Sequence, residues 1–549
     1  MRNLDFRFLM KKIINIFVRK SVFLYICLCL VFLSPVYSEE NNGNESQKET
    51  RVFLKNTVSE LYSPEEEIRK FYINRNFKPF WLRNKSNTTA LIANLNKAYE
   101  HGLPNSRYPI EELMSIDTQL DPSQLAKLEL LATEAFLLFS RDISSGILVP
   151  NMIDENINVY PRRIEAKEII ENLNVNINIE RYFNSLLPKN PDYNLLVREL
   201  KKIKNIELNA LWGKPVPNEA VLAYGMTHDN VVYLRTRLNK MGYPVESNGS
   251  RVFDRQVENA AKRFQEYHGL NADGVFGKRS LEAVNVHPKT RMAQILVNLE
   301  RLRWSNEPQD DEYVLVNQPN FEAYYEKRGE RIWKSRVVIG LPSNQTAEFN
   351  DFMTHIIVNP TWHVPKSIAI DEYLPMIQDD PNFLNDNDMK LLVRGTDQVI
   401  DSTLIDMGAF TPDNFPFIIK QNPSNINALG LVKFMFPNKF SIYMHDTPMK
   451  DLFFKDERTF SHGCIRLQEP FEFAYSLLKD QTDNPQLKFQ EILSESNETQ
   501  LNLNRDIPVK IIYRTAFFDE FGQIQFRPDV YGRDALVFMA LSEAGVKNF

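Results

Sequence analysis

The spacing of apolar residues changes character twice along the chain. From about 52 to 220 they recur with helical periodicity. Leu91, Ile92, Leu95 and Ala98 share one face with Gly102 as a stop, and Leu125, Leu128, Leu131, Ala132, Ala135 and Leu138 repeat the pattern. This predicts an α-helical scaffold over 52–220. A compact helical unit follows at 227–286. Val231, Leu234 and Leu238 lie on one face, Val257, Ala261 and Phe264 on a second, and Leu281 and Val284 mark a third short helix. Residues 289–304 read as a linking helix with Met292, Ile295, Leu299 and Leu302 on one side, inside a connecting segment at 289–310.

Beyond residue 311 the period shortens to that of strands. Tyr313 to Val316, Phe321 to Tyr325 and Arg336 to Ile339 are β-like, with Lys327 to Glu330 as a turn. Further strand-like runs lie at 355–359, 432–436, 440–446, 509–513 and 523–526. Residues 367–428, rich in loop formers such as Asp379-Asp380-Pro381, read as a lid-like insertion with short helices. The fold class expected is multidomain α+β, with a β-rich domain at 311–532 and a C-terminal segment at 533–549.

The first 51 residues do not fit either pattern. Arg2, Arg7, Lys11, Lys12, Arg19 and Lys20 precede the uncharged apolar run Val22 to Leu33, and small residues follow at Ser34 to Ser38. Residues 1–38 therefore read as a secretory signal or, if uncleaved, an anchor, with Glu39 to Arg51 as a polar, flexible tether. The expected location is exported and periplasmic. The full chain of 549 residues carries a formal charge of −6, and its first 38 residues contribute +5 of that, leaving −11. Such a charge is a poor match to nucleic acid.

Cysteine usage narrows the chemistry. Cys27 and Cys29 fall in the signal-like segment, so Cys464 stands alone in the rest of the chain. A lone cysteine in an oxidising compartment has no internal disulfide partner, and is either a buried small residue or a working thiol. Its surroundings favour the second. Thr459-Phe460-Ser461-His462-Gly463-Cys464-Ile465-Arg466-Leu467 precedes a helical run through Phe471, Ala474, Leu477 and Leu478. Cys464 is thus expected just before a helix, whose N-terminus would lower the thiol pKa. Gly463 permits a tight turn with an open amide, and the amides of Gly463 and Cys464 would face an oxyanion. Upstream, Phe440 to Pro448 alternates like a strand and places Tyr443 and His445 on one face. His445 is the expected base, oriented by a backbone carbonyl near Asp446 or by the Asp446 carboxylate.

The remaining assignments have structural alternatives. His462 either holds the loop or the oxyanion, or supports the site from behind. Ser461 is expected to hydrogen-bond within the loop, with substrate contact as its other use. Arg466 would bind a substrate carboxylate through its forked guanidinium or form a structural ion pair. Tyr443 would line the site or simply pack, and Trp362 with His363 would line a groove or belong to a core.

Several of these runs resemble known families. His445, a gap of 15 residues, and Ser461-His462-Gly463-Cys464-x-Arg466 resemble the signature of YkuD-type L,D-transpeptidases. Asn359 to Pro365 and Gly430 to Asn438 resemble the flanking blocks of the large periplasmic subfamily. Phe264 to Leu270 and Asp273 to Gly277 resemble the three-helix peptidoglycan-binding module of wall enzymes. Arg466 stands where many relatives carry Asn, and Ala347 where Pro is more usual.

The resemblance implies a 3→3 cross-linking reaction in cell wall biogenesis. Cys464 takes the acyl group of a donor tetrapeptide stem, and a diaminopimelate amine on a neighbouring stem accepts it. It implies no metal and no organic cofactor, and peptidoglycan stems as partners with other wall-synthesis enzymes alongside. Water as acceptor would make an L,D-carboxypeptidase or cysteine hydrolase of stem peptides. A decayed, non-catalytic wall-binding protein is the third alternative.

Overall fold

The computed structural model describes residues 39–59, 66–115, 120–174, 177–306, 310–396 and 398–547. The signal-like segment with Cys27 and Cys29 lies outside them. Residues 39–51 are not a tether: they begin a helix that runs from Glu39 to Ser59. Its buried Thr50, Leu54 and Val58 sit four residues apart and pack on the long helix Pro122–Ser145. The polar composition of 39–51 hid a helix whose apolar contacts lie mostly in its second half.

The scaffold is helical as its periodicity predicts. The helix Pro122–Ser145 starts at a capping box made by Asp121 and Gln124 and buries Ala126, Leu130, Phe136 and Phe139. Its fully buried Glu129 accepts from the Trp81 and Leu82 amides at 3.1 and 3.0 Å and from the Tyr72 hydroxyl at 2.9 Å. The cost of burying that carboxylate is thus offset by two loop amides and by a hydroxyl from the helix Glu66–Asn74.

The second unit has helices Asn230–Lys240, Arg255–Tyr267 and Lys278–Val284. All eight apolar positions expected on its three faces are buried. The helix Pro288–Trp304 departs from expectation. It is covered on nearly every side, with Asn298, Glu300, Arg301 and Arg303 buried alongside Met292, Ile295, Leu299 and Leu302. Glu300 accepts from the Ile147 and Leu148 amides at 2.7 and 2.9 Å and pairs with Arg303 at 2.7 Å. Polar residues that read as a solvent face instead tie the scaffold to this central helix.

Among its described residues the C-terminal domain is built on fifteen strands. In chain order they are β1 Glu312–Asn317, β2 Glu322–Lys327, β3 Glu330–Gly340, β4 Phe349–Val358, β5 Trp362–His363, β6 Met389–Val393, β7 Val399–Ile400, β8 Phe417–Gln421, β9 Val432–Met435, β10 Met444–His445, β11 Thr459–Ser461, β12 Ile465–Leu467, β13 Thr499–Ile512, β14 Ala516–Phe518 and β15 Ile524–Phe526. Nine form one sheet in the order β11-β3-β12-β10-β9-β4-β13-β1-β2. Because β2 also pairs with β3, the sheet closes on itself. The helix Pro470–Leu478 buries Phe473, Ala474, Leu477 and Leu478 in its core, with Phe473 stacked on Trp333 at 4.2 Å.

Two details of the β-rich domain differ from expectation. The strand expected at 440–446 shrinks to Met444–His445. Asn438 explains this: its Oδ1 accepts from the Phe440 and Ile442 amides at 3.0 and 3.2 Å, and its Nδ2 donates to the Phe436 and Ile442 carbonyls at 2.6 and 2.7 Å. These bonds fold 438–442 into a loop with Ser441 at φ 55°. The insertion contains more than short helices. Together with β5 just before it, it forms a four-stranded sheet, β5-β8-β6-β7, and a separate core of Trp362, Leu374, Ile377, Leu391 and Ile419 among others.

Candidate active site

The register of β10 and β12 builds the site. They pair in parallel, Met444 opposite Ile465 and His445 opposite Arg466. Met444 and Ile465 point into the core and are fully buried. Alternation then puts Tyr443, His445, Cys464 and Arg466 together on the opposite face. On the other flank β9 sets Lys433 opposite His445. The insertion covers this face: Tyr443 packs against its core, and Tyr373 lies near Arg466.

Cys464 occupies the short connection between β11 and β12, not a helix start. The helix begins at Pro470, with β12 intervening, so its dipole does not act on the sulfur as expected. Cys464 is half-buried as a residue, and its desolvated thiol donates to the Ser441 carbonyl at 3.7 Å. Burial pushes its pKa up to about 11, opposed by hydrogen bonds from the Tyr443 amide and hydroxyl and by the charges of Arg466 and Lys433. In the resting state the thiol is therefore protonated at neutral pH. His445 is buried, and its Nδ1 donates to the Asp446 carbonyl at 2.5 Å. Burial, then the Arg466 charge, lower its pKa to about 3, against the Asp446 and Leu429 carbonyls that favour the protonated ring. A neutral thiol and a neutral imidazole thus share one face of the sheet, one residue step apart along paired strands.

Asp446 fixes that arrangement. Its amide donates to Val432 at 2.9 Å, its Oδ2 accepts from the Leu431 amide at 2.9 Å, and its Oδ1 pairs with Lys450 at 2.6 Å. The carboxylate thereby holds the Leu429–Leu431 turn, while the carbonyl of the same residue takes the His445 proton donor. The Asp446 carboxylate, the second orienting group expected for the imidazole, is occupied by the turn.

The other expected site residues separate into distinct roles. Ser461 is buried and its hydroxyl donates to the Cys464 carbonyl at 2.5 Å while accepting from the Gly463 amide at 3.2 Å. That hydroxyl is used within the loop and does not reach outward to a substrate. The same contact corrects Gly463: its amide is not open. Gly463 adopts φ +114°, and its carbonyl accepts from the Thr346 hydroxyl at 2.8 Å. His462 pairs through its Nε2 with Glu372 of the insertion. Arg466 has a buried Nε without an acceptor and places one Nη 3.5 Å from the Met449 sulfur, so it forms no structural ion pair among the described residues. Trp362 is buried in the core shared with the insertion, edge-on to Tyr373 at 6.0 Å, which is the packing alternative. His363 is exposed.

Sequence reasoning missed Lys433, Glu372 and Tyr373. Lys433 carried a usable signal, since it interrupts an apolar run on a short strand facing the histidine strand. Glu372 and Tyr373 reach the site only through the tertiary path of the insertion. Among the described residues, no group of three or more His, Cys, Asp or Glu side chains is placed to hold a metal ion.

Comparison with known proteins shows what each region resembles. Residues 311–483 match the YkuD family, described as an L,D-transpeptidase catalytic domain. Residues 66–200 match a scaffold domain, and 227–284 a "Putative peptidoglycan binding domain". A Haemophilus influenzae protein named "Putative L,D-transpeptidase" is 30% identical over 247 residues, covering 45% of this chain and 49% of that protein. The chain thus spans about half the length of the curated relative it matches. Two solved L,D-transpeptidase structures are similar at 12% and 13% identity, from Xylanimonas cellulosilytica (TM-score 0.17) and Stackebrandtia nassauensis (TM-score 0.20). Each covers 55% of this chain, and 100% and 97% of its own. Residues 311–483 are thus similar to the YkuD L,D-transpeptidase catalytic domain, and lie after regions similar to a scaffold domain and a peptidoglycan-binding domain.

Proposed function

We propose that this protein is an exported peptidoglycan L,D-transpeptidase that forms 3→3 cross-links through a thioester on Cys464. The observation that carries the reading is the shared face of Cys464 and His445, with the Nδ1 of His445 already committed to the Asp446 carbonyl. That bond fixes the tautomer and leaves Nε2 as the basic atom.

In this reading the donor stem's third carbonyl enters beside the sulfur. His445 takes the thiol proton as the sulfur attacks, so charge separates only when a substrate is present to receive the nucleophile. The Cys464 amide, for which no acceptor is found among the described residues, donates to the oxyanion, and Tyr443 supports the same region. The C–N bond to the terminal D-Ala then breaks, His445 returns the proton to that amine, and the thioester remains. A diaminopimelate amine on a second stem attacks the thioester and gives its proton to His445. The C–S bond breaks, the thiol is restored by that proton, and an amide joins the two stems. Arg466, with its unpaired Nε, provides the positive charge for a stem carboxylate.

The test is intact mass after exposure to a carbapenem, followed by incubation with tetrapeptide muropeptides. The expected results are an adduct at Cys464, absent in Cys464→Ala, and cross-linked dimers. Shortened monomers alone would assign hydrolysis, and an unmodified Cys464 would end the thioester mechanism.

A further inference from the structure

The central helix carries a charge that nothing in its surroundings answers. Arg291 is 7% exposed, yet its guanidinium meets only neutral oxygens: Nη1 reaches Gln294 at 2.8 Å and Nη2 the Ala283 carbonyl at 3.4 Å. The cation lies over the Phe526 ring at 4.5 Å from the centroid. Burial lowers its pKa to about 10, with no carboxylate acting against that shift. A buried guanidinium without an anion is costly, and a site that supplies the anion removes the cost.

Arg291 lines a cleft of about 320 Å³ where the scaffold helix Asp192–Leu208, the three-helix unit and the β14–β15 hairpin meet. Lys240 and Arg263, both exposed, stand at its rim and form no ion pair among the described residues. Glu199 is the one acid lining the cleft, and Lys202 takes it at 3.2 Å. Tyr243 and Tyr267, 6.1 Å apart between ring centroids, provide flat amphipathic walls. The cleft is thus cationic on a chain whose net charge is −6.

We propose that this three-domain cleft binds a carboxylate-bearing fragment of peptidoglycan, with Arg291 and the Lys240–Arg263 rim meeting the carboxylate and the two tyrosines the adjoining sugar or peptide face. The inference rests on the wall-enzyme reading for its ligand class. It differs in its site, because each of three domains contributes a wall and the cysteine is not involved. One consequence is that a strand of wall polymer is held by the scaffold and the binding unit jointly.

The experiment uses the full chain as Cys464→Ala, so that no ligand is consumed. Saturation-transfer NMR compares N-acetylmuramic acid, the free stem tetrapeptide and N-acetylglucosamine, which lacks a carboxylate. At least one carboxylate ligand is expected to bind in preference to N-acetylglucosamine, and which one does so assigns the anion to sugar or stem. K240Q/R263Q, altered only at exposed positions, is expected to weaken that binding by about threefold to tenfold. The same pair of substitutions with Cys464 intact should leave carbapenem acylation unchanged. Equal binding of all three ligands, or binding indifferent to K240Q/R263Q, overturns the proposal. Acylation without cleft binding sinks the cleft alone, and cleft binding without acylation sinks the thioester reading alone.

Discussion

At Cys464 the protein holds a thiol whose resting pKa points the wrong way for spontaneous reactivity. Burial outweighs the Tyr443 hydrogen bonds and the Arg466 and Lys433 charges, so the free thiol titrates near 11 rather than in the ordinary range near 8.5. Only the thiolate alkylates. The rate of iodoacetamide labelling should therefore climb by about tenfold per pH unit from neutrality upward, without levelling off near the ordinary thiol pKa. Levelling there would mean that the sulfur is not desolvated. Lys433→Met removes a charge that favours the thiolate and should slow labelling at every pH in that range. His445, lowered to about 3, stays neutral throughout and adds no inflection. Its role appears only with substrate: His445→Asn should cut the acyl-transfer rate by about 10²–10⁴, as expected for loss of a general base. A drop smaller than tenfold would assign the proton transfer elsewhere. The placement of Cys464 and His445 on one face was legible because strand alternation and a short motif fix it locally. The direction of the thiol shift was not, because burial arises from tertiary packing that the local motif does not show.

At the scale of elements, two connections hold the site in shape. The first is the turn before β9. Gly430 has φ +62°, and an added Cβ would fall 2.3 Å from the Asp446 Oδ2. Gly430→Ala should destabilise by about 1–3 kcal/mol through left-handed strain and displacement of that carboxylate. It should lower transfer activity more than stability alone explains, since the Asp446 carbonyl orients His445. Thermal melting alongside turnover of the folded fraction checks this, and full turnover would show that the turn is merely structural. The second connection is the pairing of His462 with Glu372, which ties the cysteine loop to the insertion. Both partners are partly solvated, so the pair contributes little to global stability, about 0–1 kcal/mol. Its effect is local. Glu372→Gln should raise amide exchange over Lys366–Asp379 with little change in melting temperature, and unchanged exchange would leave the insertion held by its apolar contacts alone. The insertion itself was recognisable from its loop formers, but its sheet was not: β5 and β7 are two residues each, too short to show a period.

Across the whole molecule, charged groups placed out of water hold the domains together. The central helix's Arg301 pairs with Glu348 of the loop before β4 at 2.9 Å and with Asp534 of the C-terminal helix Arg533–Glu543 at 3.4 Å. Arg533 joins Glu348 at 3.2 Å, and Thr515 bonds Asp534. In sequence Arg301 fell on the polar side of the amphipathic helix at 289–304, because nothing local shows that a second domain covers it. Asp534 makes the arrangement sensitive to pH. Burial raises its pKa to about 7, with Asp529 and Glu348 acting in the same direction against Arg301 and Thr515. A carboxyl raised above its unfolded value of about 4 binds its proton more tightly in the native state. Its stabilising contribution is therefore complete below about pH 4 and is lost as pH rises through about 7. The wild type should lose stability between pH 5 and pH 8 from this group, on the order of 1–3 kcal/mol. Asp534→Asn cannot ionise, so whatever fixed offset the substitution introduces, its stability relative to wild type should improve steadily across that interval. Denaturant melts of both proteins at pH 5, 6, 7 and 8 measure the difference. A constant difference across the series would mean that Arg301 keeps Asp534 ionised throughout, and that the joint between domains is a permanent ion pair with no proton to lose.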